Sequence, residues 1–135
     1  MRHLLFASIL LVGLLPGCGD DIAPPECSGS SCACEAGEAC STEDTACEGE
    51  SCSLACINEN QCSGSCGASC TVSCAGGSTC EMTLGPSGSV SCAGGSTCLI
   101  TCTDSCSISC STDSTCKLAC GGAAAKDVDQ GGTCP

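Results

Sequence analysis

From residue 52 onward, apolar and polar positions alternate in bursts of five. One set reads Cys52-Ser-Leu-Ala-Cys56, Cys70-Thr-Val-Ser-Cys74, Gly88-Ser-Val-Ser-Cys92 and Cys106-Ser-Ile-Ser-Cys110. The other reads Cys62-Ser-Gly-Ser-Cys66, Cys80-Glu-Met-Thr-Leu84, Cys98-Leu-Ile-Thr-Cys102 and Cys116-Lys-Leu-Ala-Cys120. Successive side chains of an extended chain point to opposite faces, so a period of two predicts a strand for each burst, with its cysteines and central aliphatic residue turned to one side. The centres align as two columns, Leu54, Val72, Val90, Ile108 and Gly64, Met82, Ile100, Leu118, which form the expected buried seam. The segments between bursts have turn compositions, five residues long as in Ala-Gly-Gly-Ser-Thr from Ala75 and again from Ala93, or three as in Gly85-Pro86-Ser87.

Two strands and two turns return every 18 residues. Between Cys56 and Cys120 the cysteines step by 6, 4, 4 and 4 residues and begin again; 13 of the 15 places on this lattice are cysteine, with Leu84 and Gly88 the exceptions. A fixed period of this length is the mark of stacked units, each burying its apolar side against the next. The expected fold is therefore all-β: a narrow, disulfide-stapled parallel β-solenoid over residues 52–120, with 18-residue rungs of two short strands each.

So thin a core cannot alone offset the entropy of ordering the chain, which leaves a share to disulfides. Cysteines four apart on one strand are ~13 Å apart at ~3.3 Å per residue, too far for a bridge, so bridges must cross a turn or join rungs. The paired exception favours turns. Leu84 and Gly88 flank one three-residue turn, and if bridges cross such turns, losing both cysteines orphans neither. The expected pairs are Cys56 with Cys62, Cys66 with Cys70, Cys74 with Cys80, Cys92 with Cys98, Cys102 with Cys106 and Cys110 with Cys116. Each small loop contributes about 2 kcal/mol in the chain-entropy description. The spacing assigns no partners to Cys27, Cys32, Cys34, Cys40, Cys47, Cys52, Cys120 or Cys134.

The amino terminus supplies an address. Arg2 precedes an apolar run from Leu4 to Leu15, the length of a signal h-region and short of the ~20 residues that span a bilayer. The run ends in Leu15-Pro16-Gly17-Cys18, which resembles the lipobox of bacterial lipoproteins. That resemblance implies a signal peptide over residues 1–17, cleavage before Cys18 and acylation of Cys18 at its sulfur and new amino terminus. Two or more acyl chains hold a protein stably on a membrane. Gly19, rather than Asp, follows Cys18, which in the resemblance favours the outer membrane. Setting Cys18 aside leaves 20 of 21 cysteines, enough for ten bridges in the oxidising compartment that an exported chain enters.

Charge narrows the function. Beyond the signal there are two lysines against 15 carboxylates and no His, Arg or aromatic residue. Nucleic acid wants a basic face and is not an expected partner. A His-assisted nucleophile and a His metal ligand are both missing, so no catalytic residue, metal or cofactor is assigned. A metal-thiolate store is the alternative use of so many cysteines, but the chain holds one C-x-C, Cys32 and Cys34, and no C-x-x-C. The carboxylates concentrate between Asp20 and Glu59, across an expected tether (18–26) and an irregular, acidic, Cys-rich cap (27–51); a Gly- and Ala-rich tail (121–135) follows the solenoid.

The rung plan resembles that of the disulfide-rich β-helical antifreeze proteins of insects, Thr101-Cys102-Thr103 being the local match. The resemblance implies a flat outward face able to meet ice or a polymer. Here the first outward column set is Ser53 and Ala55, Thr71 and Ser73, Ser89 and Ser91, Ser107 and Ser109, where serine stands in place of threonine; the second is Glu81, Thr83, Leu99, Thr101, Lys117 and Ala119. The expected function is a cell-envelope lipoprotein of structural or interaction role, not an enzyme, held by its lipid; contact with a carbohydrate polymer or ice through the Ser/Thr face is the alternative.

Overall fold

A computed structural model describes residues 51–135 in full and the backbone of three short strands before them. Residues 1–17, Cys18 and most of the segment 18–50 lie outside the described residues, and with them the signal, lipidation and tether expectations. Every element among the described residues is a strand: β1 (Glu26–Ser28), β2 (Ser31–Ala33), β3 (Ala39–Ser41), β4 (Ser53–Cys56), β5 (Gln61–Cys66), β6 (Thr71–Cys74), β7 (Thr79–Leu84), β8 (Ser89–Cys92), β9 (Thr97–Cys102), β10 (Ser107–Cys110), β11 (Thr115–Cys120), β12 (Lys126–Asp127) and β13 (Gly131–Thr133).

The strands alternate between two sheets, in the orders β1-β2-β4-β6-β8-β10-β13 and β12-β11-β9-β7-β5-β3. From β4 to β11 each strand pairs in parallel with the strand 18 residues on, as in Leu54 with Val72 and Cys62 with Cys80. This is a parallel β-solenoid of about four turns. The β-branched and aliphatic centres Leu54, Val72, Val90, Ile108, Met82, Ile100 and Leu118 are buried between the sheets with the cysteines, in one core. Gly64, the place without a side chain in the second column, has a φ of 134°.

The turns are stacked as regularly as the strands. At the three-residue turn, Ser51, Ser69, Ser87 and Ser105 adopt left-handed φ values of 52–62°. The amide of each bonds upward: Ser51 to Ala68 O, Ser69 to Pro86 O and Ser87 to Asp104 O, at 2.8, 2.8 and 3.2 Å, while Ser105 donates to the terminal Pro135 O at 3.2 Å. At the five-residue turn two consecutive left-handed residues recur, Asn58 and Glu59, Gly76 and Gly77, Gly94 and Gly95. Glycine takes this conformation without steric cost, which accounts for the Gly-Gly pair in both Ala-Gly-Gly-Ser-Thr copies.

Strands extend past residues 52–120 at both ends. Within the segment 27–51, β2 and β3 join the solenoid in parallel, Ser31 opposite Ser53 and Ala39 opposite Gln61. The offset there is 22 residues rather than 18, so Cys32 falls opposite Leu54 and the cysteine lattice is broken although the ladder continues. The tail also carries structure. β13 pairs antiparallel with β10 and β12 antiparallel with β11, closing the upper edge of both sheets, as β1 pairs antiparallel with β2 at the other end. Covered edges prevent indiscriminate strand pairing.

Candidate functional site

The chemistry-bearing positions fall into three places: the sulfur columns at the corners, the two outward faces and the C-terminal end. At the five-residue corner the structure joins Cys56 to Cys62, Cys74 to Cys80, Cys92 to Cys98 and Cys110 to Cys116, with Cα separations of 6.2, 6.3, 6.4 and 6.2 Å. At the three-residue corner it joins Cys66 to Cys70 and Cys102 to Cys106, both at 6.0 Å. These are the pairs that the turn-flanking spacing names. The bridges are stacked closely enough that the sulfurs of Cys56, Cys74 and Cys80 lie within 4.8 Å of one another, as do those of Cys74, Cys92 and Cys98. Cys52 is also disulfide-bonded.

A further bridge, Cys120 to Cys134, has a Cα separation of 5.4 Å. Cys120 occupies the place of Cys66 and Cys102 in its column. The lattice would put its partner at position 124, which is alanine. Cys134 comes instead from the returning tail, its amide 2.9 Å from Cys106 O. Ala119, expected on the outward face, is buried here, with Cys134 Sγ 3.9 Å from its carbonyl oxygen.

On the first outward face the in-register columns are Ser53, Thr71, Ser89, Ser107 and Ala55, Ser73, Ser91, Ser109. None of the eight is charged. Ser89 Oγ lies 3.5 Å from Thr71 Oγ1 across neighbouring rungs. The second face is wider, because its strands have six residues, and it gains a column that the five-residue bursts miss: Gln61, Thr79, Thr97, Thr115. The flanking column Ser65, Thr83, Thr101, Ala119 and the central Ser63, Glu81, Leu99, Lys117 complete it. Lys117 Nζ lies 3.5 Å from Asp127, an exposed pair worth little in water.

A buried polar column also escaped the sequence reading. Asn60, Ser78 and Ser96 stand 18 apart and are 1%, 0% and 0% exposed. Ser78 Oγ donates to Ala75 O at 2.8 Å and accepts from the Asn60 amide at 3.2 Å; Ser96 Oγ donates to Ala93 O at 2.7 Å. These hydroxyls tie each Gly-Gly corner closed from inside. One rung higher the corner is Ser111-Thr112-Asp113-Ser114, which lacks glycine and forms a turn closed by Ser114 N to Ser111 O at 3.0 Å. There the Asp113 carboxylate accepts hydrogen bonds first from the Ser111 hydroxyl and also from its own and the Gly95 backbone amides and the Ser114 hydroxyl, which together hold its pKa below the ordinary aspartate value against the opposing effect of desolvation. A side chain thus takes over from the backbone carbonyls Gly76 O and Gly94 O that receive the Glu59 and Gly77 amides below.

Compared with known proteins, the chain matches no family model, no curated protein and no solved structure.

Proposed function

We propose that the protein is a lipid-anchored envelope protein whose stapled solenoid serves a structural or interaction role, holding a flat hydroxyl face at a fixed distance from the membrane. The observation that carries the reading is the first outward face. Seven of its eight positions are hydroxyl residues, none is charged, and all stand in strict register on rungs whose strands are joined by disulfides at their ends. In a chain of net charge −12 such a face meets a neutral surface without electrostatic cost. The lipobox resemblance at Cys18 supports the anchor, and the disulfides fit an oxidising compartment.

Neutral polymer or ice is the second reading, favoured by the threonine column Thr79, Thr97, Thr115 on the other face, with Thr83 and Thr101 across the central column of Glu81 and Leu99. A rigid face of this kind loses little conformational entropy on contact. The test is fractionation of cells expressing the native chain and Cys18→Ser, together with sedimentation of the purified protein with envelope polymers and with chitin or cellulose. Acylated protein in the outer membrane, and in Cys18→Ser the loss of the acyl mass with accumulation of unprocessed precursor that keeps the apolar run Leu4 to Leu15, support the anchor. An acyl mass at the amino terminus of Cys18→Ser refutes it. Binding that Ser73→Glu and Ser91→Glu abolish assigns contact to the first face, and binding that they leave intact excludes that face.

A further inference from the structure

The upper end of the solenoid differs from the rest of the molecule in how it is closed. Every cysteine from Cys52 to Cys116 is buried, and so is Cys134; Cys120 is the one half-buried cysteine among residues 51–135. It lines an open hollow with Leu118, Val128, Gly132 and Pro135. Its bridge to Cys134 closes a separation of 14 residues, against 4 or 6 for the other bridges described. Residues 121–127 of the loop so closed are all exposed. Gly121 and Gly122 have φ values of 55° and 81°, and nothing lies within 4 Å of where their Cβ atoms would stand.

What that loop covers is substantial. β12 and β13 contribute two and three residues of pairing and shield strands of six and four residues, β11 and β10. Beneath them end the two apolar columns, at Ile108 and Leu118, and the Gly132 backbone sits against both Leu118 Cδ2 and Val128, each 3.3 Å from the position of a Gly132 Cβ. Apart from Val128 and Cys134 the cap brings little apolar surface to this contact. A short, exposed cap held on by one reachable disulfide is set against two ready-made strand edges and the end of the core.

We propose that Cys120–Cys134 is a thiol-addressable latch, and that opening it frees the edges of β10 and β11 to pair with those of a second copy of this chain. A thiolate of a dithiol attacks Cys120 Sγ; the new mixed disulfide forms as the bond to Cys134 Sγ breaks, and Cys134 leaves as a thiolate that takes up a proton. The second thiol of the reagent loses its proton and attacks its own sulfur in the mixed disulfide, releasing Cys120 and closing the reagent into a disulfide. Two electrons pass from the dithiol to the bridge.

The occupant follows from geometry and charge. β10 and β11 already take antiparallel partners at this edge, in β13 and β12, and a two-fold axis across the open end supplies antiparallel partners to both strands at once. The upper end carries both lysines of the described residues, Lys117 and Lys126, together with Asp113, Asp127 and Asp129, so a two-fold contact there sets charges of both signs against one another. Uncovered edges and apolar column ends drive such pairing.

Graded dithiothreitol on the purified full chain, quenched with an alkylating reagent and mapped by mass spectrometry, is expected to label Cys120 and Cys134 before any other described cysteine. The apparent mass in sedimentation should double at the same reductant concentration. Labelling that begins at another bridge, or two labels per chain with no change in mass, overturns the proposal. As a second measurement, the double variant Cys120→Ser/Cys134→Ser should be a dimer without reductant, with the Cys110 amide, now bonded to Gln130 O at 2.8 Å, protected from hydrogen exchange at high protein concentration and unprotected on dilution. A variant that retains the native circular dichroism and stays monomeric at all concentrations also overturns it.

Discussion

Leu84 lies over Gly88 across a three-residue turn: its Cβ is 3.0 Å, and its Cδ1 3.2 Å, from the point a Gly88 Cβ would occupy. The leucine is fully buried and fills the space that a disulfide fills one rung below, between Cys66 and Cys70, and one rung above, between Cys102 and Cys106. The glycine suits the leucine, since a side chain at residue 88 would press against Leu84 more tightly than an ordinary contact and make it shift by a few tenths of an ångström. The two departures from the cysteine lattice are one substitution in physical terms, apolar packing in place of a covalent bond.

Replacing both, Leu84→Cys with Gly88→Cys, is expected to add one intramolecular bridge, worth about 2 kcal/mol for so short a loop, with the new sulfurs refilling the leucine volume. Gly88→Cys alone should clash with Leu84 and destabilise by about 1–3 kcal/mol. Leu84→Cys alone should leave a cavity and a reactive thiol. Non-reducing peptide mapping with thermal unfolding separates the three, and a bridge from either new cysteine to another rung would contradict local pairing.

Ser78→Ala removes the hydroxyl that joins Ala75 O to the Asn60 amide at a fully buried corner. The cost of leaving buried polar groups unpaired is about 1–3 kcal/mol. Ser78→Cys, similar in size but a weak donor, should recover only part of it in denaturant melts. A loss below a few tenths of a kcal/mol would mean that the hydroxyl column does not hold the corner.

Two glycines should respond oppositely to asparagine. A Cβ on Gly85 would stand 2.7 Å from Gly67 C and 2.9 Å from Ala68 N, rigid backbone in the turn below, whereas Gly95 has a φ of 74° and open space around it. Gly95→Ala is expected to cost about 1 kcal/mol in left-handed strain, much of which Gly95→Asn restores. Gly85→Ala should cost about 1–3 kcal/mol through forced displacement, and Gly85→Asn more. Equal losses for the two alanine variants would contradict this assignment.

The Asp113 carboxylate, with its pKa lowered first by the Ser111 hydroxyl, stabilises the folded state only when ionised. A folded pKa below the unfolded one means that this contribution is complete above the ordinary value of 3.8 and is lost as pH falls beneath it through the folded pKa. Asp113→Asn should therefore be less stable than the native chain at neutral pH, with the gap narrowing below about pH 4. A gap independent of pH, followed by urea melts between acid and neutral conditions, would remove the carboxylate from the turn.

Much of the core was legible because the same residues that set the period also fill it. Val72, Val90 and Ile108 are buried at the centres of strands whose ends are cysteine, so periodicity, burial and bridging all follow from one alternation. The ends of the solenoid were less legible. β2 and β3 pair at an offset of 22, where backbone hydrogen bonds continue but the cysteine spacing does not, and only the spacing is visible in sequence. β13 is Gly-Gly-Thr, a composition that reads as a turn, and it becomes a strand because β10 offers it an edge. At the outward faces, Thr79, Thr97 and Thr115 precede the first cysteine of their bursts and read as turn residues, whereas the strands begin at them. Ser78 and Ser96 belong to the same Ala-Gly-Gly-Ser-Thr turns; two left-handed glycines rotate the following serine inward, an effect of backbone conformation that polarity alone points the other way.

The turn-spanning bridges also fix how the protein lengthens under tension. Along the chain, force passes from Cys56 to Cys62 through sulfur, then along β5, then from Cys66 to Cys70 through sulfur again, so the residues inside those turns carry no load. Peeling one rung releases only its strands, and successive rungs release nearly equal lengths. Between Cys56 and Cys116 the exception is the turn between Leu84 and Gly88, which unreels with its strands. Pulled along the chain, this stretch lengthens in short, nearly equal steps with one slightly longer step near its middle, each set by where the sulfur bridges stand rather than by residue count.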